Sequence, residues 1–263
     1  MMELAAERRM RWCLGMYASG STWLYNAMRL VAEAVAPGRP VRASYVASAA
    51  ELPGLADPAV LHVVKSHDVD AAVAAALEQA AERILMTLRD PRDAVASLMR
   101  HMDHDFDTAL ALIERSARFC AARAGDARTV VLRYEDGFID DPATLDRLAA
   151  GLGGPLAQAD RARIFAATRR GAIEALIARL DTLPGTLHDV RSGDMVDPVT
   201  QWHRHHAGRT GEVGGWRWVL GAARAGIVER RLEDWMAAWG YAADPPIRAG
   251  GYRLRIGYRV DLR

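Results

Sequence analysis

The chain has 263 residues, 51% of them hydrophobic and 25% charged, a composition that can bury a full globular core. Its 34 basic and 33 acidic side chains leave a net charge of +1, so no whole-molecule field marks a nucleic-acid or membrane-surface partner. It carries no long apolar run and no secretory leader in MMELAAERRMRWCLG, and its two cysteines, Cys13 and Cys120, read as reduced thiols; a cytoplasmic protein without membrane insertion is expected.

Residues 10–16, MRWCLGM, read as a strand that enters the loop GMYASGSTW at 15–23. A helical pattern follows from Thr22 to about Ala36 and stops at Pro37-Gly38. VRASYVA (41–47) is a weak strand, and AVLHVVK (59–65), RILMTLR (83–89) and TVVLRY (129–134) are strong ones. Asp90-Pro91 and Asp141-Pro142 mark helix starts, with the aspartate as cap and the proline as first helical residue. Residues 183–216 lose periodicity and read as a lid, 221–239 as one amphipathic helix, and 251–263 as a half-buried strand with a solvated arginine face.

Continuous apolar strands separated by helices argue for a parallel sheet covered on both faces. The expected architecture is a single α/β domain over 1–263, in three layers, with a central parallel sheet flanked by helices. Such sheets bind ligands at the carboxyl ends of their strands. Ser19 to Thr22, Lys65 to His67, Arg89 and Tyr134 to Asp136 all fall at those ends.

The loop at 15–23 is close to a Walker A pattern, with Gly15, Gly20 and a Ser-Thr pair, but Ser21 stands where that pattern needs lysine. A strand, a Gly-Ser turn and a helix start still place backbone N–H groups around an anion. In VVKSHD (63–68), Lys65 and His67 lie two apart, so their side chains share a face. A cation beside an imidazole suits charge stabilisation and proton transfer. Lys65 is the single lysine among the 34 basic residues. In LRDPRDAVAS (88–97), Arg89 and Ser97 frame a helix start, a second phosphate-binding set. RTGEVGGW (209–216) adds Arg209 and several glycines.

These five elements, in this order, resemble the sulfotransferases that use 3'-phosphoadenosine 5'-phosphosulfate (PAPS). Tyr17 to Trp23 is similar to their first loop, Lys65-Ser66-His67 to their K-T-H element, and Arg89 to Ser97 to their R-[ND]-P-[KR]-D-x-x-x-S element. Tyr134-Glu135-Asp136 and Arg209 to Trp216 are similar to the last two. The resemblance implies a fold related to P-loop nucleotide kinases and a donor, PAPS, that leaves as 3',5'-ADP. It implies that Ser19, Gly20, Ser21 and Thr22 hold the 5'-phosphosulfate, and that Trp23 and Tyr134 contact the adenine. Arg89, Ser97, Arg209, Thr210 and Gly211 would hold the 3'-phosphate. Lys65 would steady the sulfuryl group, and His67 would be the base. Ala18 departs from the pattern, because the family has Lys or Arg there; Thr210 replaces a lysine.

An eroded P-loop kinase or NTPase, and a non-catalytic 3',5'-ADP-binding relative, are the competing readings. The acceptor is expected to be a small molecule or carbohydrate. Met99, Met102, Phe106, Met195 and Trp202 hint at a partly apolar acceptor wall. His203, His205 and His206 lie in a polar loop without a carboxylate or cysteine at ligand spacing, so no metal is expected.

Overall fold

The computed structural model describes residues 10–189, 193–206 and 211–241. The strand expected at 251–263 lies outside the described residues.

β1 (Met10–Gly15) runs through a loop into α1 (Ser21–Val35). β2 (Val41–Tyr45), β3 (Leu61–Ser66), α2 (Ala71–Ala80), β4 (Ala81–Leu88), α3 (Pro91–His101), α4 (Phe106–Ala124) and β5 (Thr129–Arg133) follow. These five strands form one parallel sheet in the order β2-β3-β1-β4-β5. Next come α5 (Ala143–Ala150), α6 (Gln158–Thr168) and α7 (Arg170–Ile177). β6 (Leu187–Asp189) and β7 (Asp194–Val196) then pair as an antiparallel hairpin. α8 (Trp216–Val219), α9 (Gly221–Arg231) and α10 (Glu233–Ala238) complete the described chain.

The sheet is apolar on both faces, which is why its strands read as continuous apolar runs. In β1, Trp12 and Leu14 enter one core and Cys13 the other. Val64 and Val63 divide in the same way, as do Met86 and Leu85. The first core gathers residues of α2, α3, α4, α9 and α10; the second gathers α1, α5 and α6. Cys120 lies in the first core and Cys13 in the second, so the sheet separates the two free thiols. No helix among the described residues is long and apolar enough to cross a membrane.

β1 is central, and the chain leaves it first towards β3 and β2, then towards β4 and β5. That reversal opens a crevice at the carboxyl ends of the strands. The helix expected over 221–239 is two helices, broken at Leu232 (φ −122°, ψ 22°). The break lets Trp235 turn into the core, where its indole N–H donates to Ala117 O at 3.1 Å. Tertiary packing there overrides a continuous helical pattern.

At the end of β1, a side chain on Gly15 would strike the hydroxyls of Thr87 and Ser19. Those two buried hydroxyls bond to each other at 2.7 Å beneath the loop. Gly15→Ala is therefore expected to destabilise the protein by about 1–3 kcal/mol, as overpacking of a tight core does. Urea unfolding measures this, and unchanged stability would mean that the Ser19–Thr87 pair is free to move.

Candidate active site

The loop between β1 and α1 is built to leave donors open. Ala18 (φ 59°) and Gly20 (φ 88°) both take the left-handed conformation. Ser19 Oγ lies within 2.6 Å of Met16 O and within 2.7 Å of Thr87 Oγ1, so this hydroxyl braces the loop from beneath. Among the described residues, the N–H groups of Ala18, Gly20, Ser21, Thr22 and Trp23 have no protein acceptor. The hydroxyls of Ser21 and Thr22 likewise have none, and both residues line the cleft described below. Open N–H groups at the start of a 15-residue helix form an anion cradle, reinforced by the helix dipole.

Lys65 and His67 stand beside that cradle. Lys65, on β3 between Tyr45 and Cys13, is 4% exposed. Its ammonium lies 5.2 Å from the Tyr45 ring centroid and forms no ion pair with a carboxylate among the described residues. Burial pushes its pKa down to about 8. His67 Nδ1 is 3.0 Å from Gly15 O. A carbonyl only accepts, so Nδ1 carries the proton and Nε2 holds the lone pair. Tyr17 stacks on the imidazole at 4.3 Å and fixes its plane. Burial, and then the Lys65 ammonium, push His67 down to about 3. It is thus neutral at physiological pH.

Arg89 ties its own sequence element to three of the other four. Its Nη1 donates to Ala18 O at 3.0 Å and its Nη2 to Glu212 O at 3.1 Å, while its plane lies 4.3 Å over the Tyr134 ring. It is buried, pairs with no carboxylate, and its Nε has no partner among the described residues. Gly211 (φ 62°) packs so closely on Tyr134 and Arg170 that a side chain there would strike both. Arg209 and Thr210 lie outside the described residues. Ser97 is half-buried on α3 and is not part of the cleft wall. Trp23 reaches the cleft floor, but its indole N–H is bound to Thr168 O at 3.0 Å.

Asp93 is the fixed aspartate of the R-[ND]-P-[KR]-D-x-x-x-S element but carried no expected role, and no motif singled out Arg170. Asp93 accepts from the backbone N–H groups of Gly214 (2.7 Å) and Trp216 (2.9 Å), tying the late motif to α3. Arg170 follows no motif, and only the approach of α7 to Gly211 brings it to the cleft.

These groups line a cleft of about 1610 Å³. That exceeds the roughly 300–1,000 Å³ of a common single-ligand pocket, leaving room for two ligands at once. Residues of the β6–β7 hairpin and of 201–206 form its other wall, in the segment expected to be a lid. Met102 and Trp202 line the cleft, whereas Met99 and Phe106 pack into the core.

No family model and no curated protein matches the chain by sequence. Solved structures match its fold. Retinol dehydratase in a complex with retinol and PAP superposes with a TM-score of 0.59 at 16% identity, over 94% of this chain and 85% of that one. The same enzyme with androsterone and PAP gives a TM-score of 0.59 over 94% of this chain and 84% of that one. Mouse sulfotransferase SULT7A1 complexed with PAP gives 0.62 at 13% identity, over 88% of this chain and 85% of that one. The chain has the P-loop-like α/β fold of these solved structures.

The buried Lys65 ammonium sets a pH dependence. The unfolded chain holds that proton up to an ordinary 10.5, the folded chain only to about 8. Stability therefore rises as pH climbs through that window, and the full cost is present below it. Lys65→Met is expected to stabilise the ligand-free protein on the order of 3 kcal/mol at pH 7, with no gain above the unfolded value. Urea unfolding at both pH values checks this; a variant no more stable than the parent at pH 7 contradicts an uncompensated buried cation.

Proposed function

We propose that this chain is a sulfotransferase that moves the sulfuryl group of PAPS to a hydroxyl or amine and releases 3',5'-ADP. One observation carries the reading: two buried cations that form no ion pair with a carboxylate among the described residues, Lys65 and Arg89, flank a loop in which the N–H groups of Ala18, Gly20, Ser21, Thr22 and Trp23 have no acceptor among those residues. An uncompensated buried charge is costly, and a ligand with several negative charges would relieve both cations at once. The PAP complexes of the fold neighbours agree with such a ligand.

In this reading the loop N–H groups of Gly20, Ser21 and Thr22 and the two free hydroxyls hold the 5'-phosphosulfate. Lys65 holds the sulfuryl oxygens. His67 Nε2 takes the acceptor's proton as the acceptor atom attacks sulfur and the bond to the leaving phosphate breaks. The cradle meets the negative charge that gathers on that phosphate, a term worth several kcal/mol in preorganised sites, about 3–4 kcal/mol per donor. His67 contributes about 10²- to 10⁴-fold as general base. Its low pKa rises when the negative charge of the donor's phosphosulfate offsets Lys65. Arg89 serves the 3'-phosphate through its unpartnered Nε, with Gly211, Tyr134 and Arg170 around it. Arg209, Thr210 and Ser97 remain assigned to that phosphate by the sequence resemblance. Trp23 forms the floor beneath the adenine.

Ala18 carries no charge where the resemblance has Lys or Arg. Its left-handed backbone and its carbonyl, bound by Arg89, bring that guanidinium to the loop from the other side. The acceptor is a small molecule or carbohydrate, entering beside Tyr17, Tyr45 and His67. The lid and the single α/β domain belong to this proposal too, as does a cytoplasmic setting for the two reduced thiols.

Labelled PAPS with a panel of phenols, amines and sugars should yield transfer to at least one class, and His67→Ala should lower the rate about 10²-fold or more. Calorimetry should show 3',5'-ADP binding that Arg89→Ala weakens at least about tenfold, the worth of one charge-assisted contact. Binding unchanged by that substitution, or thermal stabilisation by ATP with magnesium but not by 3',5'-ADP, would favour the kinase reading instead. Ala18→Lys should raise the transfer rate about tenfold, the effect of 1.4 kcal/mol on a barrier; no gain would mean that Arg89 already supplies the charge.

A further inference from the structure

We propose that Asp194, His203 and His205 form a binding site for one divalent transition-metal ion of the zinc type, on the wall of the cleft formed by the β6–β7 hairpin. The inference is independent of the sulfotransferase reading and departs from the absence of metal expected from sequence. Nine positions separate Asp194 from His203, so no ligand spacing was visible along the chain. The fold supplies the missing carboxylate.

A tight turn brings it there. Asp197 accepts from Val199 N at 3.1 Å and from the Thr200 hydroxyl at 2.6 Å, and its own N–H donates to Trp202 O at 3.1 Å. Gln201 takes a left-handed conformation (φ 57°) to close the reversal. The chain then runs back beside β7, with Val196 bridged antiparallel to His203. One ligand atom from each of Asp194, His203 and His205 lies within 4.8 Å of the others.

The carboxylate is oriented from behind. Met195 N–H donates to Asp194 Oδ1 at 2.7 Å, and His205 N–H donates to Oδ2 at 2.8 Å. Such backbone support fixes a ligating carboxylate as the outer shell of a metal site does. The His205 Nδ1 lies 2.7 Å from the same Oδ2. A second, independent observation points to a ligand. His203 Nδ1 is buried and has no hydrogen-bond partner among the described residues. A solvated histidine would not hide that nitrogen.

Two imidazoles and one carboxylate are the ligand set of zinc sites that keep an open position, and of other first-row divalent ions. Magnesium and calcium prefer all-oxygen sets and are disfavoured here. One negative charge beside two neutral imidazoles partly offsets the dication. The ion would clamp β7 to residues 203–205 and hold this wall of the cleft in place.

The test uses the tag-free full chain and Zn²⁺ itself. After dialysis, elemental analysis should find one equivalent bound, and Co²⁺ in its place should give visible ligand-field bands. Asp194→Asn and His203→Gln should each weaken Zn²⁺ binding at least about tenfold in competition with a chromophoric chelator, whereas His104→Ala should not. Zinc should raise the melting temperature of the parent chain and of His104→Ala only. Uptake well below one equivalent overturns the proposal, as does equal uptake by His203→Gln; the latter would mark a plain Asp194–His205 ion pair. Should the Asp194 variant fold poorly, the cobalt spectrum of His203→Gln decides alone, since retained bands refute the site. Binding of 3',5'-ADP, measured on the same samples without metal, separates failure here from failure of the sulfotransferase reading.

Discussion

Two buried cations that form no ion pair among the described residues organise this molecule. Lys65 sits on β3 with a strand on either side, and Arg89 bonds or stacks on residues of three other chain segments. A protein that buries a charge normally pairs it, because an unpaired one costs several kcal/mol. Among the described residues neither Lys65 nor Arg89 forms an ion pair with a carboxylate; carbonyl oxygens and aromatic faces contact them instead. The site is therefore strained towards a ligand that supplies the missing negative charge. Strain of this kind is commonest at functional sites.

The rest of the structure serves to keep that arrangement rigid. Gly15 allows the Ser19–Thr87 hydroxyl pair to close beneath the loop, so the loop's own side chain props up its backbone. The carbonyl of Gly15 sets the tautomer of His67, and Tyr17 sets its plane. Asp93 draws the late segment onto α3 through two backbone bonds, which brings the Glu212 carbonyl to Arg89. A residue outside every expected role thus positions one inside it. The charges of Asp90, Arg92 and Glu229 close into a separate buried network that carries the start of α3.

The two walls of the cleft differ in kind. The sheet edge carries the cradle, Lys65, His67 and Arg89 on regular elements packed from both sides. The opposite wall is a short hairpin and a turn, held by Asp197, by the histidine cluster, by bonds from Tyr25 and Asn26 of α1 to the turn's carbonyls, and by Trp202 packed on the second core. Chemistry placed on the first wall is fixed by the fold. Order on the second rests largely on polar contacts, which is where a metal clamp would have most effect.

The sequence by itself determined the strands, the parallel sheet and the ligand edge, because apolar runs and strand-ending polar clusters are local signals. It also placed Ser21, Thr22, Lys65, His67 and Arg89 at that edge, since each follows directly from a strand or a helix start. The single lysine among so many arginines marked its own position. Tertiary structure alone decided what these groups touch. Ser19 turned inward because Thr87 lies below it, and the 221–239 helix broke because Trp235 had a core to enter. Phe106 and Met99 joined the core instead of the cleft for the same reason. Asp93, Arg170 and the Asp194 carboxylate gained their roles from segments far along the chain. Long-range contacts of that kind leave no period and no spacing in a sequence, so nothing short of the folded chain could have shown them.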